Sequence, residues 1–248
     1  MVAVLNRPGC STESDVVAVR SRRGRSCYSD CQSAYDVGHR ENGIYQICLI
    51  TSDGVYKGPY SVFCTYDYYF PFGWLVMQRR YDGSVNFERP WGDYKHGFGN
   101  LSTEFWLGNE LIHELTSLVN YRLRIEMMHE DGTTSHAKYQ RFRVEDEGSG
   151  YRLHVLRYDG GDAGDAFGLH DGYSFSTVDR SNDQLPGNKS YCALLKGAGW
   201  YHGLYPDCCH VSFNMRRTEN GTIGEWWTNG TMIRLKSFEL KIRPVGRD

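Results

Sequence analysis

One block of the chain, Gly73 to His113, combines Gly, Trp, Phe and paired Arg at fixed offsets that a generic β-sheet composition would not produce. Its fragments include Gln78-Arg79-Arg80, Asp82-Gly83-Ser84-Val85, Gly97-Phe98-Gly99 and Glu104-Phe105-Trp106-Leu107-Gly108-Asn109. Large aromatic residues in such a pattern are usually buried. The block therefore constrains the architecture of the chain more firmly than its activity.

Related fragments lie outside the block, at Gly43-Ile44-Tyr45, His136-Ala137-Lys138-Tyr139, 161–166 and 235–244. Together they resemble the fibrinogen-related domain, the globular module of ficolins, tachylectins, tenascins, angiopoietins and the fibrinogen β and γ chains. The resemblance implies an α+β, fibrinogen C-terminal-like fold in three parts. These are a small N-terminal subdomain (27–64), a central, mostly antiparallel sheet with short helices (65–156 plus 231–244), and a loop-rich, ligand-binding P subdomain (157–230). Residues 1–26 lack apolar periodicity and are expected to form a flexible N-terminal segment.

Local patterns predict several elements of this fold. Apolar and charged residues alternate over 121–127, which is typical of a strand with one buried face. Apolar spacing over 102–115 predicts two short helices. Turn signals occur at Asp53-Gly54 and Gly58-Pro59. The apolar alternation slips phase at Lys236-Ser237, which predicts a β-bulge.

Composition excludes several classes of function. A chain of 248 residues can bury one large core without a metal. The formal net charge of −2 gives no basic excess for nucleic acid. Apolar runs are far shorter than the ~18 residues of a membrane span, and Met1 to Leu5 is too short for a signal peptide. We therefore expect no nucleic-acid partner, no membrane insertion, and a sequence that is a fragment of a longer protein.

Eight cysteines cluster towards the two ends of the chain, with none between Cys64 and Cys192. They lack the short CxxC pairs in step with histidines that metal sites usually show, so disulfides in an oxidising, secreted environment are favoured. The resemblance implies the pairs Cys31–Cys64 and Cys192–Cys209. The remaining cysteines, Cys10, Cys27, Cys48 and Cys208, allow three pairings or bridges between subunits of a homo-oligomer. Candidate N-glycosylation sequons lie at Asn100, Asn188, Asn220 and Asn229.

An acidic loop is the candidate calcium site. Calcium takes six to eight oxygen ligands, often alternating carboxylates followed by backbone carbonyls. The resemblance implies ligands at Ser181 and Asp183 with carbonyls from Leu185 and Gly187, but relatives carry an aspartate where this chain has Ser181. Asp179 could substitute if the backbone shifts. We expect either a weakened calcium site or none, the alternative being an Asn/Asp-rich turn.

The candidate ligand pocket lies at Cys209-His210. In lectin members of the family, a cis peptide before this cysteine, here Cys208–Cys209, directs backbone donors to an acetyl carbonyl, and aromatic residues hold the methyl group. The usual aromatic positions are vacant in this chain. We expect the wall to be supplied instead by Trp200, Tyr201, Tyr205 or Trp226.

Two functions remain open at this point. The first is a secreted, non-enzymatic lectin-like module that binds glycans or acetylated surface structures in innate recognition. The second is a protein-binding module of a signalling or matrix protein, as in angiopoietins and tenascins. Catalysis has no supporting triad, paired acids or phosphate loop. Vicinal Cys208-Cys209 beside His210 is not expected to act as a nucleophile, since at least one of the pair should be in a disulfide.

Overall fold

The computed structural model of the chain describes residues 19–20, 26–51, 53–68, 70–183, 191–203 and 208–246. Its strands are β1 (Val19–Arg20), β2 (Ser26–Cys27), β3 (Gly43–Ile50), β4 (Tyr56–Tyr66), β5 (Gly73–Arg80), β6 (Phe98–Gly99), β7 (Phe105–Trp106), β8 (Tyr121–His129), β9 (Thr134–Val144), β10 (Leu153–Tyr158), β11 (Phe175–Ser176), β12 (Gly199–Trp200), β13 (Val211–Ser212), β14 (Gly224–Thr228) and β15 (Thr231–Pro244). The α-helices are α1 (Cys31–Asp36), α2 (Trp91–His96), α3 (Asn109–Leu118) and α4 (Tyr191–Lys196). Short 3₁₀ helices span Glu147–Ser149 and Phe167–His170. Among the described residues, no helix has the length and apolar character needed to cross a bilayer.

Strand β15 lies at the centre of the large antiparallel sheet, whose order is β10-β9-β8-β15-β5-β4-β3. Its C-terminal half pairs with β5 and β8, whereas its N-terminal half pairs with β14. The register with β8 shifts between Leu235 and Ser237, as the predicted bulge requires. On β8 the odd-numbered residues from 121 to 127 are buried, because alternate side chains of a strand point to opposite faces. The predicted α+β architecture is confirmed.

Two local predictions are wrong. Region 102–118 holds one helix, α3, instead of two, because Phe105 and Trp106 form β7 and pair with Gln78 and Arg79 of β5. Long-range strand pairing overrides the helical spacing there. The Gly58-Pro59 dipeptide lies inside β4, where the register with β3 is irregular, and not in a turn.

The predicted subdomain boundaries are less distinct in the structure. Strands β3 and β4 of the N-terminal part extend the large sheet, because β4 pairs with β5. Within the predicted flexible segment, Val19–Arg20 pairs with Ser26–Cys27, so some regular structure precedes the expected boundary.

Motif residues of the Gly73–His113 block attach the P subdomain (157–230, called the P region below) to the sheet. The buried Arg80 guanidinium donates through Nη1 to the carbonyls of Phe213, Met215 and Ile223, at 3.1, 2.8 and 2.9 Å. The fully buried carboxylate of Glu104 accepts four backbone N–H groups in the loop after β5. Those donors are Tyr81, Asp82, Gly83 and Val85.

An aromatic cluster packs the P region from the other side. The ring of Phe175 lies 4.9 Å from that of Trp200, 5.2 Å from Tyr94 and 5.8 Å from Trp106. Edge and offset contacts between aromatic rings stabilise a core beyond simple burial. Aromatic packing therefore holds the short strands β11 and β12 of this region against α2 and β7.

Candidate functional site

A cleft of about 190 Å³ opens beside Cys209-His210. Its lining side chains come from α4, β13, β14, β15 and the segment just before β13, and they are Lys196, Cys209, His210, Ser212, Glu225, Trp227 and Met232. Across it, Lys196 Nζ lies 2.6 Å from a carboxylate oxygen of Glu225. Ser212 Oγ donates to the Lys196 carbonyl at 2.6 Å, which holds α4 against β13. The cleft thus has an ion pair at its base and apolar side chains at its rim.

The β14–β15 hairpin supplies that rim. Asn229 and Gly230 both have positive φ, +49° and +74°, as expected for a two-residue type I′ turn, in which an Asn-Gly sequence is preferred. Trp227 and Met232 are cross-strand partners next to this turn. They remain 41% and 38% exposed. The Asn-Gly turn signal and strand alternation could have located this pair from the sequence.

The predicted aromatic wall is wrong for the three residues that the structure describes. Trp226 is fully buried and donates through Nε1 to the Ala163 carbonyl at 2.9 Å. It points to the opposite face of β14 from Trp227, because successive strand residues alternate. Trp200 and Tyr201 are also buried in the core and hydrogen-bonded to backbone carbonyls. Tyr205 lies outside the described residues.

His170 anchors the segment that carries Cys209-His210. Its Nδ1 donates to the Trp200 carbonyl at 2.6 Å, and its Nε2 accepts from the backbone N–H groups of His210 and Val211 at 3.2 and 3.0 Å. We assign the neutral Nδ1–H tautomer because this pattern requires an unprotonated Nε2. Desolvation in this fully buried position lowers the pKa of His170 to about 3. The imidazole is therefore neutral near physiological pH and can keep these hydrogen bonds.

The hydrogen bonds of His170 limit which backbone donors beside the cleft are available to a ligand. The N–H groups of His210 and Val211 are already bound, and the Trp227 N–H donates to the His210 carbonyl at 2.7 Å. The Cys208–Cys209 peptide bond is not cis, contrary to the expectation from lectin members; Cys208 instead has φ +53°. These backbone donors are therefore not directed at a ligand acetyl group.

The disulfides also differ in one pairing from the expectation. Cys31 is bonded to Cys64, the pairing that the resemblance implies, and Cys27 is bonded to Cys48. Cys192 is bonded to Cys208 and not to Cys209. Both bonded residues are buried, with Cα atoms 5.4 Å apart, whereas the side chain of the next residue lines the cleft. Cys10 lies outside the described residues.

The candidate calcium loop is described only in part. One carboxylate oxygen of Asp183 accepts from Ser181 Oγ at 2.9 Å, and its other oxygen, Oδ2, is buried and has no hydrogen-bond partner among the described residues. Asp179 instead accepts from the Trp91 backbone N–H and from Thr177 Oγ1, at 2.9 and 2.7 Å, and so ties the loop to α2.

The predicted carbonyl ligands Leu185 and Gly187 lie outside the described residues. Within the described part of the chain, no group of three or more His, Cys, Asp or Glu side chains is arranged to hold a metal ion. The orphaned oxygen of Asp183 fits a cation ligand, since a buried carboxylate oxygen normally has a partner. One such oxygen is a small part of a calcium shell.

Three of the four candidate glycosylation sites can be located. Asn100, Asn220 and Asn229 are exposed, as acceptors for a glycan must be, and Asn229 lies in the turn beside the cleft. Asn188 lies outside the described residues.

Comparison with known proteins gives consistent relatives. The sequence profile of the family described as fibrinogen beta and gamma chains, C-terminal globular domain, matches residues 27–245. The chain is 40% identical to angiopoietin-related protein 1 of Bos taurus, covering 88% of this chain and 44% of that protein. It is 34% identical to the fibrinogen gamma chain of Petromyzon marinus, covering 95% of this chain and 62% of that one. The chain therefore spans less than two thirds of the length of both relatives.

Solved structures with a similar fold are also found. The fibrinogen-like globe domain of human ANGPTL2 superimposes with a TM-score of 0.74 at 36% identity, covering 87% of this chain and 98% of that one. Lamprey fibrin D-dimer, in complex with the peptide Gly-His-Arg-Pro-amide, gives 0.75 at 35% identity, covering 89% and 74%. The profile match, the relatives and the shared fold show that this chain belongs to the family of the fibrinogen C-terminal globular domain.

Proposed function

We propose that this chain is a secreted, non-enzymatic recognition domain that binds a protein partner through the P-region surface around Trp227. The observation that carries the proposal is the exposed Trp227–Met232 pair at the rim of a cleft with an ion pair at its base. Aromatic residues and Met are enriched at protein interfaces, and a few such anchors usually supply most of the binding energy.

Further apolar surface lies on the helix that lines the same cleft. Leu194 and Leu195 of α4 are 64% and 54% exposed and directly precede Lys196. Exposed leucines are common individually, but adjacent ones on an element that also lines a cleft favour a contact surface. The exposed apolar residues and the Lys196–Glu225 pair together provide the mixture of apolar anchors and polar groups that protein interfaces use.

The geometry around Cys209-His210 favours a protein ligand over an acetylated glycan. His170 occupies the backbone donors at His210 and Val211, and the three described residues of the expected aromatic wall are in the core. The lamprey relative was solved with a peptide ligand, and angiopoietin-related proteins are among the relatives. Three disulfides within the described residues support an extracellular location.

We also propose that any bound calcium is held weakly, through the Asp183 carboxylate and the Leu185 and Gly187 carbonyls. The support is the Oδ2 atom of Asp183, for which the described part of the chain offers no hydrogen-bond partner. Ser181 replaces a carboxylate of the related loops, and calcium affinity rises with the number of charged ligands.

Parallel screens against arrays of receptor ectodomains and of glycans would test the protein-binding proposal. A Thr231→Ala background removes the sequon at Asn229 while leaving that residue in its left-handed turn, so a glycan cannot mask the surface. Trp227→Ala should then weaken binding to an ectodomain by about 1–3 kcal/mol, or about 5- to 150-fold. Ile50→Ala, at an exposed apolar residue of β3, is the matched control and should not.

Binding to acetylated glycans that survives Trp227→Ala would overturn the proposal and restore the lectin interpretation. An ectodomain that binds equally well after Trp227→Ala and Met232→Ala would show that a different surface is used.

A further inference from the structure

The outward faces of strands β8, β9 and β10 carry a concentration of positive charge. Alternation places the apolar residues of these strands in the core and the intervening residues outside. The cationic residues outside are Arg122, Arg124, Lys138, Arg141, Arg143 and Arg157. The whole chain has a formal net charge of −2, so the basic face reflects segregation of charge by the fold.

Two backbone irregularities add arginines to this face. The register between β8 and β9 shifts between Tyr121 and Leu123, so β9 has an extra residue there, and Gln140 and Arg141 both face outward. On β10, Arg157 has φ +59°, an uncommon conformation for a residue other than glycine. Strict alternation would turn its side chain inward, yet it is exposed.

Several carboxylates contact other side chains of these strands: Glu145 pairs with His154 at 2.7 Å and Asp162 with His136 at 3.1 Å. Glu126 pairs with Arg124 at 2.8 Å and with Lys241 at 2.7 Å. Asp159 accepts from Gln140 Nε2 at 3.0 Å. For the four basic residues of β9 and β10, no carboxylate among the described residues lies within 4.0 Å. Those four residues are Lys138, Arg141, Arg143 and Arg157.

A groove of about 340 Å³ runs through this face. Its lining consists of Asn120, Arg122, Gln140, Arg141, Arg157 and Val245. Three guanidinium groups and two amides present donors in the groove, and one side chain is apolar. Guanidinium forks bind planar or tetrahedral anions through paired hydrogen bonds, which suits sulfate and carboxylate groups.

We propose that this basic face binds a sulfated polysaccharide of the extracellular matrix or cell surface. A charge surplus spread over three adjacent strands complements a linear polyanion better than a single anion. The three disulfides favour an oxidising compartment, where sulfated polysaccharides are the abundant linear polyanions and nucleic acids are not. The face shares no lining residue with the cleft at Trp227, so both surfaces can bind independently.

Heparin-affinity chromatography and titration of the full chain with heparin oligosaccharides would test this inference. The test variant carries Arg141→Ser, Arg143→Ser and Arg157→Asn, since asparagine tolerates the left-handed conformation. The control carries Arg40→Ser, Arg216→Gln and Arg217→Ser, which removes the same charge from exposed residues elsewhere. Trp227→Ala tests whether heparin binds at the basic face or at the proposed protein-binding site.

We expect the test variant to elute at lower salt and to lose at least tenfold in affinity. The slope of log affinity against log salt should fall by about two to three, as expected when that many anion contacts are lost. The control and Trp227→Ala should behave like the unmodified chain. Equal losses in test and control variants, no binding to heparin, or equal binding to desulfated heparin would overturn the proposal. Tighter binding to DNA or to phosphatidylserine vesicles of matched charge would do so as well.

Discussion

Replacing His170 by glutamine should remove a large part of the acid sensitivity of this domain. The imidazole is fully buried, and burial lowers its pKa in the folded chain to about 3, whereas an unfolded histidine has a pKa of about 6.5. Between these values the unfolded chain binds a proton that the folded chain excludes. The free energy of unfolding therefore falls as the pH drops from about 6.5 towards 3, and this contribution is fully present above pH 6.5.

The size of the effect follows from the two pKa values. From pH 7 to pH 5, linkage at this one residue lowers the free energy of unfolding by about 2 kcal/mol, and down to pH 3 by about 4–5 kcal/mol. Protonation would also abolish the acceptor for the N–H groups of His210 and Val211. We therefore expect the segment beside the cleft to loosen first on acidification.

Urea unfolding at pH 7 and pH 5, with disulfides intact, measures this term. Glutamine can keep an acceptor near the Nε2 position, so His170→Gln should fold, be less stable at pH 7, and lose about 2 kcal/mol less than the unmodified chain between the two pH values. His96→Gln, at an exposed histidine of α2, is the matched control and should keep the original pH dependence.

Equal losses of unfolding free energy in His170→Gln and the unmodified chain between pH 7 and pH 5 would contradict this role of His170. NMR of the imidazole provides a test that does not depend on the stability of the variant. A His170 ring that titrates near pH 6 in the folded chain would show that it is not held neutral by burial.

Three further predictions concern the scaffold and the loops. Glu104→Gln should lower the free energy of unfolding by about 3 kcal/mol in urea titration, because a neutral amide cannot accept four backbone N–H groups as a carboxylate does. Peptide mapping without reduction should recover Cys192 linked to Cys208. Calcium should raise the melting temperature only at high concentration, with Ser181→Asp increasing the rise and Asp183→Ala abolishing it.

Each of these has a clear counter-result. Glu219→Gln, at an exposed residue, should change stability by no more than about 0.5 kcal/mol; a similar loss in both glutamine variants would contradict the role given to Glu104. Fragment spectra that link Cys192 to Cys209 would contradict the observed pairing. A calcium response unchanged in Asp183→Ala but lost in Asp131→Ala would place the ion elsewhere.

The sequence was sufficient for much of the architecture. Strand alternation on β8 and the phase slip near Ser237 depend on neighbouring residues, so local patterns reported them correctly. The motif with Arg80 and Glu104 was recognisable as a pattern, but its role in fastening the P region to the sheet needed the three-dimensional contacts. Helical spacing at Phe105 was misleading because pairing with β5 decided its conformation.

The candidate site was decided by tertiary structure. Adjacent residues looked equivalent in the sequence: Trp226 and Trp227, or Cys208 and Cys209. Successive side chains of strand β14 point to opposite faces, so Trp226 entered the core and Trp227 faced the cleft. Cys208, with φ +53°, entered a disulfide, whereas Cys209 lines the cleft. The basic face of strands β8, β9 and β10 also depends on the tertiary structure. Net charge is a sum over the chain, whereas a charged surface depends on which strands lie side by side.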